Sequence, residues 1–307
     1  MLTAYITHPS YALHDMGALH PESPLRLRAV DDRLYAANLF DFLQHREARA
    51  ATREELLRVH DAAYVAAIEA ASPNAGQYML DPDTSMNTHT LDAAYHAAGG
   101  AAMAVDLVMR GDATNAFVAC RPPGHHATHD HAMGFCIFNN VAVAAAHALA
   151  AHGLTRVAII DFDVHHGNGT EDIFTHEPRV MFCSTFQYPF YPHCGADTTS
   201  DHIVNVPLPA GTTGSTYREA FEARVMPRLD AFRPQMLFCS AGFDGHREDE
   251  IAQFGLVEAD YAWITEQVMH IAARHAEGRI VSVLEGGYDL SALGRSAATH
   301  IRTLAGL

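Results

Sequence analysis

The 307-residue chain is short of basic side chains: 20 arginines and lysines stand against 36 aspartates and glutamates, a formal net charge of -16. Such a surface repels a phosphate backbone, which excludes nucleic acid as a direct partner. It would suit a cationic small molecule or a basic protein tail, although surplus acid most often serves solubility alone. Long apolar runs are missing too. No stretch approaches the roughly 20 residues of a membrane span. The opening MLTAYITHPSYALHD lacks the basic start and apolar centre of a secretion signal and reads as a strand and a loop. Cysteine is scarce: Cys120, Cys136, Cys183, Cys194 and Cys239 are odd in number and contain no C-x-x-C. Three lie in apolar strand-like runs, so reduced, buried thiols in a cytoplasmic protein are expected rather than a disulfide framework. No internal repeat, charge block or Gly/Ser linker divides the sequence, which predicts one domain over residues 1–307.

What is abundant is apolar residues, 49% of the chain, enough for a sizeable core. Short β-branched runs alternate with longer helical patterns. Strands are predicted at AYIT near residue 5, AFVAC ending at Cys120, and RVAIIDF from Arg156 to Phe162. Three more follow: RVMFCSTF around Phe182, QMLFCSA ending at Ala241 and RIVSVLE ending at Glu285. Helical segments are predicted at Pro24–Asn38, Thr88–Met109, Asn140–His152, Thr216–Asp230, Glu258–His275 and Ser291–Leu304. This alternation implies an α/β fold: a central, mostly parallel sheet with helices on both faces. SPNAGQYMLDPDTSMN and YPFYPHCGADTTSDH read as long loops, a length that is often functional in a compact domain.

Four polar clusters each follow a predicted strand: RPPGHHATHD, DVHHGNG, GFDGH and EGGYD. The crevice outside the carboxyl ends of parallel strands is where ligands bind. Any one cluster could be structural; four at four such ends indicate a site. Within IIDFDVHHGNGT (159–170), alternation along an extended segment would place Asp161, Asp163 and His165 on one face, with Asp244 delivered from a neighbouring strand. Two carboxylates and an imidazole balance a divalent ion and leave coordination positions open, as a catalytic zinc site requires. An Asp–His hydrogen-bond network is the competing, structural reading. In PPGHH, a loop stiffened by two prolines can turn both rings towards one cavity, and histidine suits a general base at neutral pH. Tyr288 could donate to a developing oxyanion; the plainer reading is a core tyrosine with a backbone partner.

HPESPLRL, RPPGHHA, GFCIFNN, DFDVHHGNGT, SAGFD and LEGGYDL occur in this order across residues 20 to 290. In these six segments the chain resembles the zinc-dependent histone deacetylase superfamily, which includes acetylpolyamine amidohydrolases. RPPGHHA and Asn168 are closest to class II members. The resemblance implies a single-domain arginase/deacetylase-like fold, and one zinc per chain held by Asp163, His165 and Asp244. It implies that His126 is the general base and later the acid. His125 is held by Asp161, Asn168 partners His126, and Tyr288 holds the scissile carbonyl. Some class II relatives carry histidine at this last position and hydrolyse acetyl-lysine poorly, so the tyrosine implies a competent deacetylase. Gly134 and Phe135 match the tunnel that grips the acyl-amine stem, with Tyr191 as the opposite aromatic wall and Arg26 beneath the site. A structural potassium or other monovalent cation is implied at Asp161, Ser184 and Thr185, with backbone carbonyls of Asp161, Asp163, His165 and Thr185.

The function so implied is hydrolysis of an acyl-lysine or related linear acyl amine. Deacetylation of acetylpolyamines is the alternative; a two-manganese ureohydrolase and a non-catalytic acyl-amide binder are further competing readings. The partner is a small-molecule or peptide acyl amine, neither nucleic acid nor membrane; a homo-oligomer is compatible with the sequence. At the tunnel mouth, Ile251 stands where the polyamine-selective relative carries an acidic residue, which favours acyl-lysine. The neighbouring HREDE (246–250) leaves an acidic rim that could still attract a polycation.

Overall fold

The computed structural model describes all 307 residues. Ten strands form in chain order: β1 (Thr3–Thr7), β2 (Gln44–Glu47), β3 (Gln77–Asp81), β4 (Thr84–Asn87), β5 (Asn115–Val118), β6 (Val157–Asp161), β7 (Val180–Gln187), β8 (Ile203–Leu208), β9 (Leu237–Ala241) and β10 (Ile280–Leu284). Eight make one sheet in the order β2-β1-β5-β10-β9-β6-β7-β8, and every pairing in it is parallel. The α/β fold expected from the alternation of elements is the one observed.

The central strands β5, β6, β9 and β10 are buried at every position. Covered by helices on both faces, they carry near-continuous apolar runs instead of alternation. The edges look different because one side of each meets no partner. β2 has the sequence QHRE and is largely exposed, and β8 carries Pro207. Short polar edges and edge prolines discourage further pairing. Helix Thr90–Met109 packs on Asn140–His152, and helix Leu290–Ala305 packs on both Leu25–Ala36 and Glu258–His275. No helix is long and apolar enough to cross a membrane. All five cysteines are free, and only Cys194 is exposed.

Three expectations are corrected. The helix predicted over Thr216–Asp230 is two, Gly214–Arg224 and Met226–Phe232. Pro227 has no N–H to continue the first helix, but fits the opening turn of the second. SPNAGQYMLDPDTSMN is not all loop: β3 and β4 form an antiparallel hairpin within it. The extended alternation proposed for Asp161, Asp163 and His165 stops at Asp161, where β6 ends. Beyond it the chain bends through two side-chain turns. Asp161 Oδ1 accepts from the Asp163 N–H (3.1 Å) and Asp163 Oδ1 from the His165 N–H (2.9 Å), the local bonding that makes aspartate a turn former.

Candidate active site

The four polar clusters lie at the carboxyl ends of β5, β6, β9 and β10, which are neighbours in the sheet. Two residues after β6 comes Asp163, then His165; three residues after β9 comes Asp244. Their ligand atoms lie within 4.8 Å of one another, and all three residues are buried. His165 Nδ1 stands 3.1 Å from Asp163 Oδ1 and 3.1 Å from Asp244 Oδ2. Burial alone would lower the His165 pKa, but the two carboxylates outweigh it and hold it at about 10. Burial and the Asp163 charge push Asp244 up to about 6. Two buried carboxylates at this spacing require positive charge. The donor set, two hard oxygens and one imidazole, fits a divalent ion such as zinc.

The backbone comes unusually close to this cluster. Gly286 lies so near that a Cβ there would sit 2.2 Å from Asp244 Oδ2, and its N–H donates to Asp163 Oδ2 at 2.9 Å. The Gly-Gly of EGGYD is therefore a packing requirement as well as a turn.

The tandem histidines have distinct environments. His125 Nδ1 donates to Asp161 Oδ2 at 2.9 Å. Burial works against its charge, yet Asp161 and Asp163 raise its pKa to about 10, so it is a cation at neutral pH. His126 Nδ1 donates to Asn168 Oδ1 at 2.7 Å, which leaves Nε2 with a free lone pair. Burial, then the neighbouring charges of His125 and His165, hold His126 well below the ordinary histidine value. The two rings, 4.0 Å apart between centroids, are thus pushed in opposite directions, one towards the cation by carboxylates and the other towards the neutral base by burial.

Aromatic residues enclose these groups. Tyr191 meets His126 edge-on at 5.2 Å, and Phe190 stacks on His165 at 5.3 Å. Phe135 meets the Tyr288 ring edge-on at 5.8 Å. Gly134 has φ +57°, and a Cβ there would lie 2.4 Å from the His126 ring. Phe135 has φ +69°, rare for a bulky side chain. The β3–β4 hairpin holds this pair: Asp83 Oδ1 accepts from the Gly134 N–H at 3.2 Å and Thr84 Oγ1 from the Phe135 N–H at 2.9 Å. Burial raises the Tyr288 phenol well above its ordinary value, keeping it a donor at neutral pH.

Arg26 is fully buried under Tyr288, its guanidinium carbon 5.0 Å from the ring centroid. It donates to Glu22 and to the carbonyls of Glu285 and Gly287. Asp161 pairs across the β6–β7 ladder with Ser184. The hydroxyls of Ser184 and Thr185 are buried without a hydrogen-bond partner. Ile251 is half-buried, and its N–H donates to Asp249 Oδ1.

The acidic rim expected from HREDE is largely taken up by the protein itself. Glu248 pairs with Arg295 at 2.7 Å. Asp249 is buried. Glu250 alone is exposed without an ion pair in the fold.

Two buried carboxylates that brace the site, Glu285 and Glu22, carry no role in the sequence reading. Glu285 Oε2 accepts from the Gly124 and His125 N–H groups at 2.6 and 3.1 Å, holding the histidine loop. Burial raises its pKa to about 7, against the pull of His125. Glu22 is held by Arg26, Arg121 and His14. The usable signal at Glu285 was a carboxylate directly behind the fully apolar strand IVSVL, where it must find donors.

Residues 20–304 match the family model for the histone deacetylase domain. The chain is 40% identical over 277 residues to a histone deacetylase-like amidohydrolase of Pseudomonas aeruginosa, covering 88% of this chain and 73% of that one. It is 37% identical over 298 residues to a probable deacetylase of Archaeoglobus fulgidus, covering 94% and 82%. The crystal structure of the HDA15 HD domain superposes with a TM-score of 0.94 at 36% identity, over 99% of this chain and 90% of that one. With one central sheet, one set of converging motifs and this agreement over nearly its whole length, the chain belongs to the histone deacetylase domain family.

Proposed function

We propose that the chain is a zinc-dependent hydrolase of acyl groups on linear amines, with acyl-lysine the preferred class and acetylated polyamines the alternative. One observation carries the reading. A neutral imidazole with a free Nε2, a cluster of three cation ligands and a protonated phenol share one aromatic-walled site. Zinc bound by Asp163, His165 and Asp244 would supply Lewis-acid polarisation of the carbonyl and a more acidic water.

The other parts belong to the chain. His126 Nε2 takes the proton of the attacking water, and the His126 imidazolium delivers it to the leaving amine. Asn168 fixes the tautomer this requires. The His125 cation disfavours a second charge on His126 until negative charge has built up beside it. Tyr288 donates to the carbonyl oxygen as it gains charge. Phe135 and Tyr191 flank the acyl-amine stem, and an apolar passage suits a neutral acyl amide better than a free ammonium. The orphaned Ser184 hydroxyl, paired across the ladder with Asp161, supports a monovalent cation there, with the Thr185 backbone carbonyl as a further ligand.

A two-ion ureohydrolase is the weaker reading, because the buried cluster gathers three ligand residues, Asp163, His165 and Asp244, a set suited to one ion, and that chemistry leaves the tandem histidines and Tyr288 without a role. The test is a rate comparison of the zinc-loaded protein on an acetyl-lysine peptide, longer acyl-lysines and acetylputrescine. Acyl-lysine should lead; a tenfold preference for the acetylpolyamine would move the assignment to that class, and no turnover of any would remove it.

A further inference from the structure

We infer that Asp249 is a positioning residue for Tyr288: together with Arg26 it clamps the Gly287–Tyr288 peptide from both sides and so aims the phenol into the site. Asp249 Oδ2 accepts from the Tyr288 N–H at 2.6 Å and from the Asp289 N–H at 3.0 Å. On the other side of the same peptide, Arg26 Nε donates to the Gly287 carbonyl at 2.6 Å. A cation thus holds the oxygen and an anion the nitrogen, and charge-assisted bonds of this kind are the stronger ones.

The clamp acts where the chain is otherwise loose. Gly287 has φ +120°, a conformation open to glycine and to few other residues, so the segment carries little steric restraint of its own. Two peptides earlier, the Gly286 N–H is bound to Asp163. The phenol is therefore referenced at one end to the cation cluster and at the other to Asp249. Asp249 lies five residues beyond Asp244 on the same loop, which ties the oxyanion donor to a metal ligand through a short stretch of backbone.

Two plainer roles for Asp249 fit less well. It is not a rim carboxylate for a substrate amine: it is 5% exposed, and its second oxygen is already taken by the Ile251 N–H at 3.1 Å. Nor is it needed to start the helix Leu290–Ala305, because Asp289 caps that helix itself, accepting from the Ala292 N–H at 2.7 Å.

The inference rests on Tyr288 acting as the oxyanion donor, and a double-mutant cycle separates the two claims. Zinc-loaded Asp249→Ala and Asp249→Asn are compared with wild type, each also in a Tyr288→Phe background, following kcat, KM and metal content. Asparagine keeps the size but has one carbonyl oxygen, so it cannot serve all three N–H groups and carries the cycle if the alanine variant fails to fold. We expect kcat to fall about 10–100-fold, the scale of a misaimed catalytic group, with KM and one bound ion per chain little changed. In the Tyr288→Phe background the same substitution should cost less than about threefold, the non-additivity of residues acting as a unit. An equal loss in both backgrounds, wild-type kcat in Asp249→Asn, or a loss that follows the metal content would overturn the clamp. Wild-type turnover in Tyr288→Phe alone would instead remove the Tyr288 reading beneath it.

Discussion

Zinc binding should displace a proton, and the structure sets how many and over what pH range. In the metal-free cluster the His165 imidazolium stands 3.1 Å from an oxygen of each of two buried carboxylates, with its pKa held at about 10. A rise from the ordinary 6.5 corresponds to at most about 5 kcal/mol of interaction between that proton and its surroundings. The ion needs the same lone pair, so it competes with the proton. Apparent zinc affinity should therefore rise about tenfold per pH unit between roughly pH 6.5 and 9 and flatten above about 10. Below about pH 6 the slope should steepen, because the Asp244 carboxyl then also carries a proton. Stability follows the same sign. A group raised in the fold stabilises the metal-free protein below its unfolded pKa, and that contribution is lost as pH rises through about 10. The metal-free protein should thus melt progressively lower from pH 7 to 10, while the zinc-loaded protein loses no such term. Competition against a chromophoric chelator at several pH values measures the slope. Calorimetry in buffers of different ionisation enthalpy counts the protons. An affinity independent of pH would refute the His165 assignment.

Three further outcomes follow from other parts of the structure. His126→Ala should cost on the order of 10²–10⁴ in kcat while zinc remains bound, the usual span for a general acid–base residue; near wild-type turnover in steady-state assays would reassign the base. Ile251→Glu should shift kcat/KM towards acetylputrescine or acetylspermidine by one to two orders of magnitude, since a carboxylate and an ammonium about 4 Å apart attract by roughly 4 kcal/mol before desolvation and screening; an unchanged ratio would mean that another residue sets the preference. His300, fully buried between Thr265 and Ser282, has its pKa lowered to about 3 by burial. The unfolded chain binds this proton first as pH falls below 6.5, so wild type should lose up to about 1.4 kcal/mol per pH unit through this residue between pH 6.5 and 3. Urea titrations of His300→Gln should lack that share of the slope; an identical slope would place the proton elsewhere.

The parts of the fold legible in the sequence are those whose burial writes itself into composition. β6, β9 and β10 are covered on both faces and appear as unbroken apolar runs. β2 and β3 are largely exposed, so QHRE and QYMLD carry no such signal, and β4 is buried but short and mostly polar in sequence. The site divides in the same way. Groups placed to act on a ligand are polar residues stranded at strand ends, and Asp163, His165, Asp244, His126 and Tyr288 stand out for that reason. Asp249, Glu285, Asp83 and Thr84 act instead on backbone N–H groups of segments 39 to 161 residues away in the chain. No spacing rule encodes a partner that only the fold brings near. The HREDE stretch shows the cost of reading charge alone: of its three carboxylates, one is paired, one is buried and one remains for a ligand.

The most direct measurement is turnover of an acetyl-lysine amide by the chelator-stripped protein, followed as zinc is added back. No activity is expected without metal, with full recovery at one ion per chain and no recovery in Asp163→Ala or Asp244→Ala. Full activity in the stripped protein, or a requirement for two ions per chain, would contradict it.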